Sequence, residues 1–146
     1  MATEVSGIKQ TYTGGCHCGF VKYTVTFDPA NSDASRCNCS ICHKKGYVSV
    51  RVPKEDLKLE SPASLDELSD YVYGKKAVHH RFCKTCGVHC LIDGHHGDIV
   101  FQGVNGHTID QDQGFELRNI KLQYWDLKND NWAQGPATEP CEGGSW

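Results

Sequence analysis

Apolar and polar residues alternate with a period of two along several short stretches of this chain, the pattern of half-buried β-strands. The clearest stretch is 20–27, where Val21, Tyr23, Val25 and Phe27 share one face and Lys22, Thr24 and Thr26 the other. Residues 47–52 repeat the pattern with Val48, Val50 and Val52. Weaker signals predict strands near 8–12 and over 70–73, 77–82, 89–92, 99–104 and 117–124. Gly74-Lys75-Lys76 is placed to turn the chain between 70–73 and 77–82. Pro53 opens a segment, 54–59, that reads as a helical turn, and Ser61-Pro62 starts another around 63–68. Residues 28–35 read as a polar loop. The pattern predicts a mainly β domain over residues 1–127, with short strands, long connections and short helical turns. An irregular tail, 128–146, is expected to lie on the surface or to be partly disordered.

A chain of 146 residues suits one domain. The formal charge of −3 and the lack of any block of like charges give no electrostatic reason to expect nucleic acid or an anionic membrane as partner. No segment approaches the roughly 20 apolar residues that span a bilayer. Residues 1–7 have neither a basic start nor an apolar run, so no secretory signal is expected and the expected location is cytoplasmic. That expectation changes how nine cysteines are read. In a reducing compartment, clustered cysteines bind metal or do chemistry more often than they form disulfides. An odd total also rules out complete pairing within the chain.

Seven of the nine fall into three groups: Cys16-x-Cys18, Cys37-x-Cys39-x-x-Cys42 and Cys83-x-x-Cys86. Glycines on both sides of the first group, Gly14-Gly15 and Gly19, let the backbone turn tightly around it. Zinc takes four ligands in a tetrahedron, and a two-cysteine knuckle usually supplies two of them. Seven cysteines therefore divide as four, closing one structural site, and three, leaving one corner of a second site open. Spacing alone leaves two pairings open. Cys16 and Cys18 join Cys83 and Cys86, leaving Cys37, Cys39 and Cys42 around a second ion, or Cys39 and Cys42 join Cys83 and Cys86 in a ribbon-like module. His17, His43 and His89 lie within or beside knuckles, and any of them as a fourth ligand would close the second site. Each is expected to be a surface or hydrogen-bonded residue instead. Cys90 is expected to be buried as a small apolar side chain, and Cys141 to be a free thiol. In the pairs His79-His80 and His95-His96, alternation sends neighbouring side chains to opposite faces, and both pairs read as structural or surface residues.

Together, Gly14-Gly15-Cys16-His17-Cys18-Gly19-Phe20-Val21-Lys22-Tyr23, Cys37-Asn38-Cys39-Ser40-Ile41-Cys42-His43-Lys44-Lys45-Gly46, Arg81-Phe82-Cys83-Lys84-Thr85-Cys86-Gly87 and Val104-Asn105-Gly106-His107-Thr108-Ile109-Asp110 resemble the glutathione-dependent formaldehyde-activating enzyme family, which also includes centromere protein V. The resemblance implies a zinc-stabilised β-tent fold of several coiled antiparallel sheets, with two zinc ions per chain. It implies the first pairing: Cys16, Cys18, Cys83 and Cys86 as structural zinc ligands, and Cys37, Cys39 and Cys42 as ligands of a catalytic zinc. It implies a carbon–sulfur lyase similar to S-(hydroxymethyl)glutathione synthase, whose partners are a small thiol such as glutathione and an aldehyde such as formaldehyde, a detoxification reaction. Two other readings stand beside it: a non-catalytic zinc module that binds a protein, and a related enzyme acting on a different small molecule.

The chain departs from the family at His43, where arginine is common, and at Val88-His89-Cys90. Glutathione carries two carboxylates, so its site needs cationic or backbone N–H partners. Lys44, Lys45, Arg51, Lys75, Lys76 and Arg81 lie near the clusters in sequence, and each reads singly as a solvated surface charge.

Overall fold

The computed structural model describes residues 8–75, 77–144 and 146. Residues 1–7 of the expected lead-in and Lys76 of the expected turn lie outside them. Ten strands and one short α-helix are formed by the described residues. Strands β1 (Gln10–Gly15), β2 (Lys22–Phe27) and β5 (Leu57–Ser61) make a three-stranded antiparallel sheet in the order β1-β2-β5. The second sheet has seven strands. They are β3 (Asp33–Cys37), β4 (Ser49–Arg51), β6 (Ser69–Tyr71), β7 (Val78–Phe82), β8 (His89–His96), β9 (Ile99–Asn105) and β10 (Gln123–Trp125), in the order β10-β3-β4-β9-β8-β7-β6. Its pairs are antiparallel except β10 with β3.

Alternation decides which face each strand buries. Along β2, Tyr23, Val25 and Phe27 are buried, while Thr26 on the other face meets Thr11 of β1 through their hydroxyls at 2.8 Å. Tyr12, Phe27 and Phe115 pack with ring centroids 5.2–5.7 Å apart. The buried Tyr23 hydroxyl meets the Thr108 hydroxyl at 2.7 Å, which ties the small sheet to the end of β9.

Two rows across the large sheet organise the molecule. Ala34, Val50, Val104 and Leu91 are cross-strand partners in succession, and all are buried in the core. One residue along, Arg51, Gly103, Ile92 and His80 form the adjacent row. A strand reverses face at each residue, so this second row looks away from the core. Its Arg51, Ile92 and His80 floor the cavity described below.

The structure differs from the sequence reading in places with identifiable causes. Residues 28–35, read as a loop, contain a 3₁₀ turn at Pro29–Asn31 and most of β3. Asp33-Ala34-Ser35 has little strand propensity, and its pairing with β4 and β10 imposes the conformation. Residues 54–59 begin as the expected turn, Lys54–Asp56, but then enter β5, which pairs with β2. The helix α1 (Ser40–Lys45) was not expected; Gly46 ends it in the left-handed conformation (φ 64°). Strand β8 runs on to His96. Residues 117–124 split into a 3₁₀ turn, Leu117–Asn119, and the start of β10.

Beyond β10 the chain folds back over the sheet. Ala137 and Tyr124 exchange two backbone hydrogen bonds of 2.8 Å. Asn38 gathers this segment: its amide NH₂ donates to Asp126 and to the Glu142 carbonyl, and its side-chain oxygen accepts from the Lys128 N–H. No described helix is long and apolar enough to cross a membrane.

Gly103 carries the close approach of β9 to β4, because a Cβ there would run into the Val50 carbonyl oxygen. Gly103→Ala is expected to lower stability by about 1–3 kcal/mol, the usual cost of overpacking. Urea unfolding measures it, and an unchanged midpoint would show that β9 has room to shift.

Candidate metal centres and the cavity between them

The loop joining β1 to β2 carries Cys16 and Cys18, and the loop joining β7 to β8 carries Cys83 and Cys86. All four sulfurs lie within 4.8 Å of one another. The Cys16–Cys18 and Cys18–Cys83 sulfurs are 3.6 Å apart. Four sulfurs about 2.3 Å from one zinc ion would stand ~3.8 Å apart, so the set fits a closed tetrahedron. Backbone N–H groups point at the sulfurs: Val21 at Cys16 (3.2 Å), and Thr85 and Cys86 at Cys83 (3.3 and 3.4 Å). Such donors favour thiolate. The N–H groups of Val88 and Cys18 hold the Cys86 thiol down to about 6.

Cys37 ends β3, Cys39 caps α1 and Cys42 lies within α1. Their sulfurs also lie within 4.8 Å of one another, and on that criterion no described histidine, aspartate or glutamate joins them. The three cannot all ionise side by side. Contacts with Cys37 and Cys42, helped by the N–H groups of Cys42 and Ile41, hold the Cys39 thiol down to about 3. The Cys39 contact pushes Cys37 up to about 11. Contacts with Cys37 and Cys39, then burial, push Cys42 well above the usual thiol range. A soft divalent cation reverses this order, because a coordinating thiol is deprotonated outright. Both cysteine groups, one of four and one of three, are thus able to hold a metal ion, and their donor sets suit zinc.

The three-cysteine group opens onto a cavity of about 100 Å³ on the outer face of the large sheet. Strands β3, β4, β7, β8 and β9 form its floor, and the chain beyond β10 closes its outer side. Trp132 stacks on His96 (4.0 Å between centroids) and packs against Trp125 (5.7 Å), with Leu127 beside it. Tyr47 forms the inner wall; its hydroxyl lies 3.7 Å from the Cys42 sulfur.

Three polar side chains line this cavity with buried atoms that lack a hydrogen-bond partner: Ser49 Oγ, Arg51 Nε and both ring nitrogens of His80. His80 is 3 % exposed and stacks on Tyr73 at 5.9 Å. Burial, with Lys45 adding to it, lowers its pKa and keeps it neutral. A buried unsatisfied polar group ordinarily costs about 1–3 kcal/mol, and a bound ligand would remove that cost.

The other candidates are placed plainly. His79 points away from the cavity and pairs with Asp70 at 2.6 Å. Arg81 binds Asp93 through two hydrogen bonds, 2.6 and 3.2 Å, and Lys45 lies over the Phe82 ring. Cys90 is fully buried, and burial pushes its thiol up to about 12. Cys141 donates to the Tyr124 carbonyl at 3.7 Å. His17 and His43 belong to neither sulfur group. His80, expected as a structural or surface residue, is buried and lines the cavity, as does Arg51, expected as a solvated surface charge. The available signal was local: Arg51 shares a face with Ser49, opposite Val50, and His80 shares a face with Val78.

Fold and site together define a mainly β domain with two cysteine clusters, each able to hold a metal ion, one of them facing a partly covered cavity. The chain belongs to the glutathione-dependent formaldehyde-activating enzyme family, whose model matches residues 11–125. It is also similar to a Rhodobacter sphaeroides protein, structural-genomics target RhR83, known from a crystal structure. The TM-score is 0.62 and the identity 29%, over 77% of this chain and 98% of that one.

His89, behind Tyr47, gives the site a pH dependence of stability. Its Nε2 donates to the Leu91 carbonyl at 3.0 Å, and its buried Nδ1 has no partner. Burial, with Lys45 adding to it, lowers its pKa from 6.5 to about 4. Between these values the unfolded chain binds more protons than the folded one. The contribution is therefore complete above the unfolded pKa and is lost as pH falls toward the folded one, by about 3 kcal/mol. Urea titrations of the wild type and of His89→Gln at pH 7 and pH 4 should show that much less pH dependence in the variant. Equal losses in both would assign the acid sensitivity elsewhere.

Proposed function

We propose that this chain is a zinc-dependent carbon–sulfur lyase-type enzyme that joins or cleaves a thiol–aldehyde adduct, with glutathione and formaldehyde the pair named by its family. The observation that carries this reading is the group of Cys37, Cys39 and Cys42, which no other described cysteine, histidine, aspartate or glutamate joins and which opens onto a cavity. In this reading Cys16, Cys18, Cys83 and Cys86 hold a structural zinc and Cys37, Cys39 and Cys42 a catalytic one. A free thiol has a pKa near 8.5 and is mostly protonated at neutral pH; zinc at the three-cysteine site would supply a centre that keeps a substrate thiol as thiolate. Three protein thiolates would leave such a centre with a formal charge of about −1, which favours thiol binding over carbonyl activation.

The chain's own residues account for the rest. Tyr47, Tyr73, Phe101, Trp125 and Trp132 limit water around the reacting atoms. The reaction breaks an S–H bond and forms a C–S bond, and the proton ends on the former aldehyde oxygen, with no change of oxidation state overall. His80, whose ring nitrogens are both without partners, would in its neutral form take the thiol's proton on its unprotonated nitrogen while its N–H donates to the former aldehyde oxygen. Positioned general acid–base catalysis of this kind contributes about 10²–10⁴-fold.

Metal analysis should return two zinc ions per chain for the wild type and one for Cys39→Ser, with the variant folded and thiol–aldehyde turnover lost. Normal turnover by Cys39→Ser would overturn the assignment. His80→Phe should keep both ions and lose about a hundredfold in turnover. Calorimetry of the zinc-loaded chain with millimolar glutathione should show binding heat. No heat and no change in melting temperature would rule out glutathione as the thiol.

A further inference from the structure

We infer that Arg51 is the anchor for an anionic group, a carboxylate, on the thiol that this cavity accepts. The inference rests on the reading of the three-cysteine group as a thiol-binding metal site, and it adds what the far end of that thiol must carry.

Among the described lysines and arginines, Arg51 is the one that lines the cavity. Arg81 has Asp93, whereas Arg51 forms no ion pair among the described residues. Its guanidinium lies over the Phe101 ring at 4.4 Å and 5.7 Å from the Trp125 ring, and its Nε is buried without a hydrogen-bond partner. Aromatic faces hold the planar group by stacking and leave its edge donors for a ligand. No aspartate or glutamate lines the cavity. Asp33, the in-register neighbour of Arg51 on β3, forms no ion pair with it among the described residues, and the guanidinium's fork of N–H donors matches a carboxylate bidentately.

The direction of the side chain follows from strand register. Arg51 pairs with Asp33, Ser49 with Ser35, and Cys37 with Trp125. From strand spacing alone, the Arg51 Cα stands about 14 Å from that of Cys37. The guanidinium covers part of this distance, because it reaches Trp125, the in-register neighbour of Cys37. Between the two ends lies the unpartnered Ser49 hydroxyl, on the same face. The cavity thus offers a sulfur site at one end, an anion site at the other and a hydroxyl between them. A thiol bearing a carboxylate a few atoms from its sulfur satisfies all three.

The test loads the full chain with cobalt, whose thiolate charge-transfer band reports sulfur at the metal. The probes are 3-mercaptopropionate and its uncharged amide, 3-mercaptopropionamide, titrated into the wild type, Arg51→Met and Arg51→Lys. In the wild type the carboxylate should bind at least about tenfold more tightly than the amide, as expected for a charged hydrogen-bonded pair. Arg51→Met keeps the apolar length on Phe101 and should lower that preference to within about twofold, with amide affinity unchanged. Arg51→Lys should restore part of it. Equal affinity for both probes in the wild type would overturn the anchor while leaving the metal site standing, and this comparison needs no variant to fold. An undiminished preference in Arg51→Met would also overturn it. If neither probe shifts the band, the thiol-binding reading fails, and the anchor with it.

Discussion

The contact between Cys18 and Cys83, with sulfurs 3.6 Å apart, is the point on which the two sheets depend. Cys18 belongs to a loop of the small sheet and Cys83 to a loop of the large one, and 65 residues of chain separate them. With Cys16 and Cys86 they form a set of four sulfurs able to hold one ion and so to cross-link the sheets. Much of the chain is loop, and it gains from such a link what a larger core would otherwise supply. A structural zinc ion can contribute on the order of 10–16 kcal/mol of apparent binding free energy. The Tyr23–Thr108 hydrogen bond and the Gly14–Ile109 bridge also tie the small sheet to the segment that follows β9.

The second cysteine group has a different logic. Cys37, Cys39 and Cys42 need no distant partner to meet, since the end of β3 and the first turn of α1 bring them together. Everything around them is long-range. The cavity floor includes His80, Ile92 and Arg51 from the row that runs His80, Ile92, Gly103 and Arg51 across four strands of the large sheet. The adjacent row, Leu91, Val104, Val50 and Ala34, is core. A slip of one residue in any pairing would exchange the two rows on that strand. Burial of the valines therefore sets where His80 and Arg51 point. Packing and site chemistry are two faces of the same register.

That division explains what the sequence made legible. Cysteine grouping depends on local spacing, so the three knuckles could be read directly. Spacing left their pairing open, and the resemblance implied the one the structure shows, Cys16 and Cys18 with Cys83 and Cys86. Strands with strong alternation, around Tyr23 and Val50, were equally readable. Strand β3 was not, because Asp33-Ala34-Ser35 becomes a strand only between two neighbours. Helix α1 is one and a half turns long and is set by its cysteines and Gly46 rather than by an apolar stripe. His80 and Arg51 were seen as members of a His-His pair and a scatter of cations. That their polar atoms lack hydrogen-bond partners emerges only after the strands are paired.

Trp132 and Leu127 carry the argument one step further. The family match ends at residue 125, yet these two side chains cover the cavity. The covering segment is tied down by Asn38, which lies between Cys37 and Cys39. The wall of the cavity that faces the three-cysteine group is thus attached within the loop that carries Cys37 and Cys39. Movement of that loop on binding an ion would therefore be felt by the wall, through three hydrogen bonds to a single side chain. The grouping of the cysteines is local, but the cavity beside them is completed by the segment that follows β10.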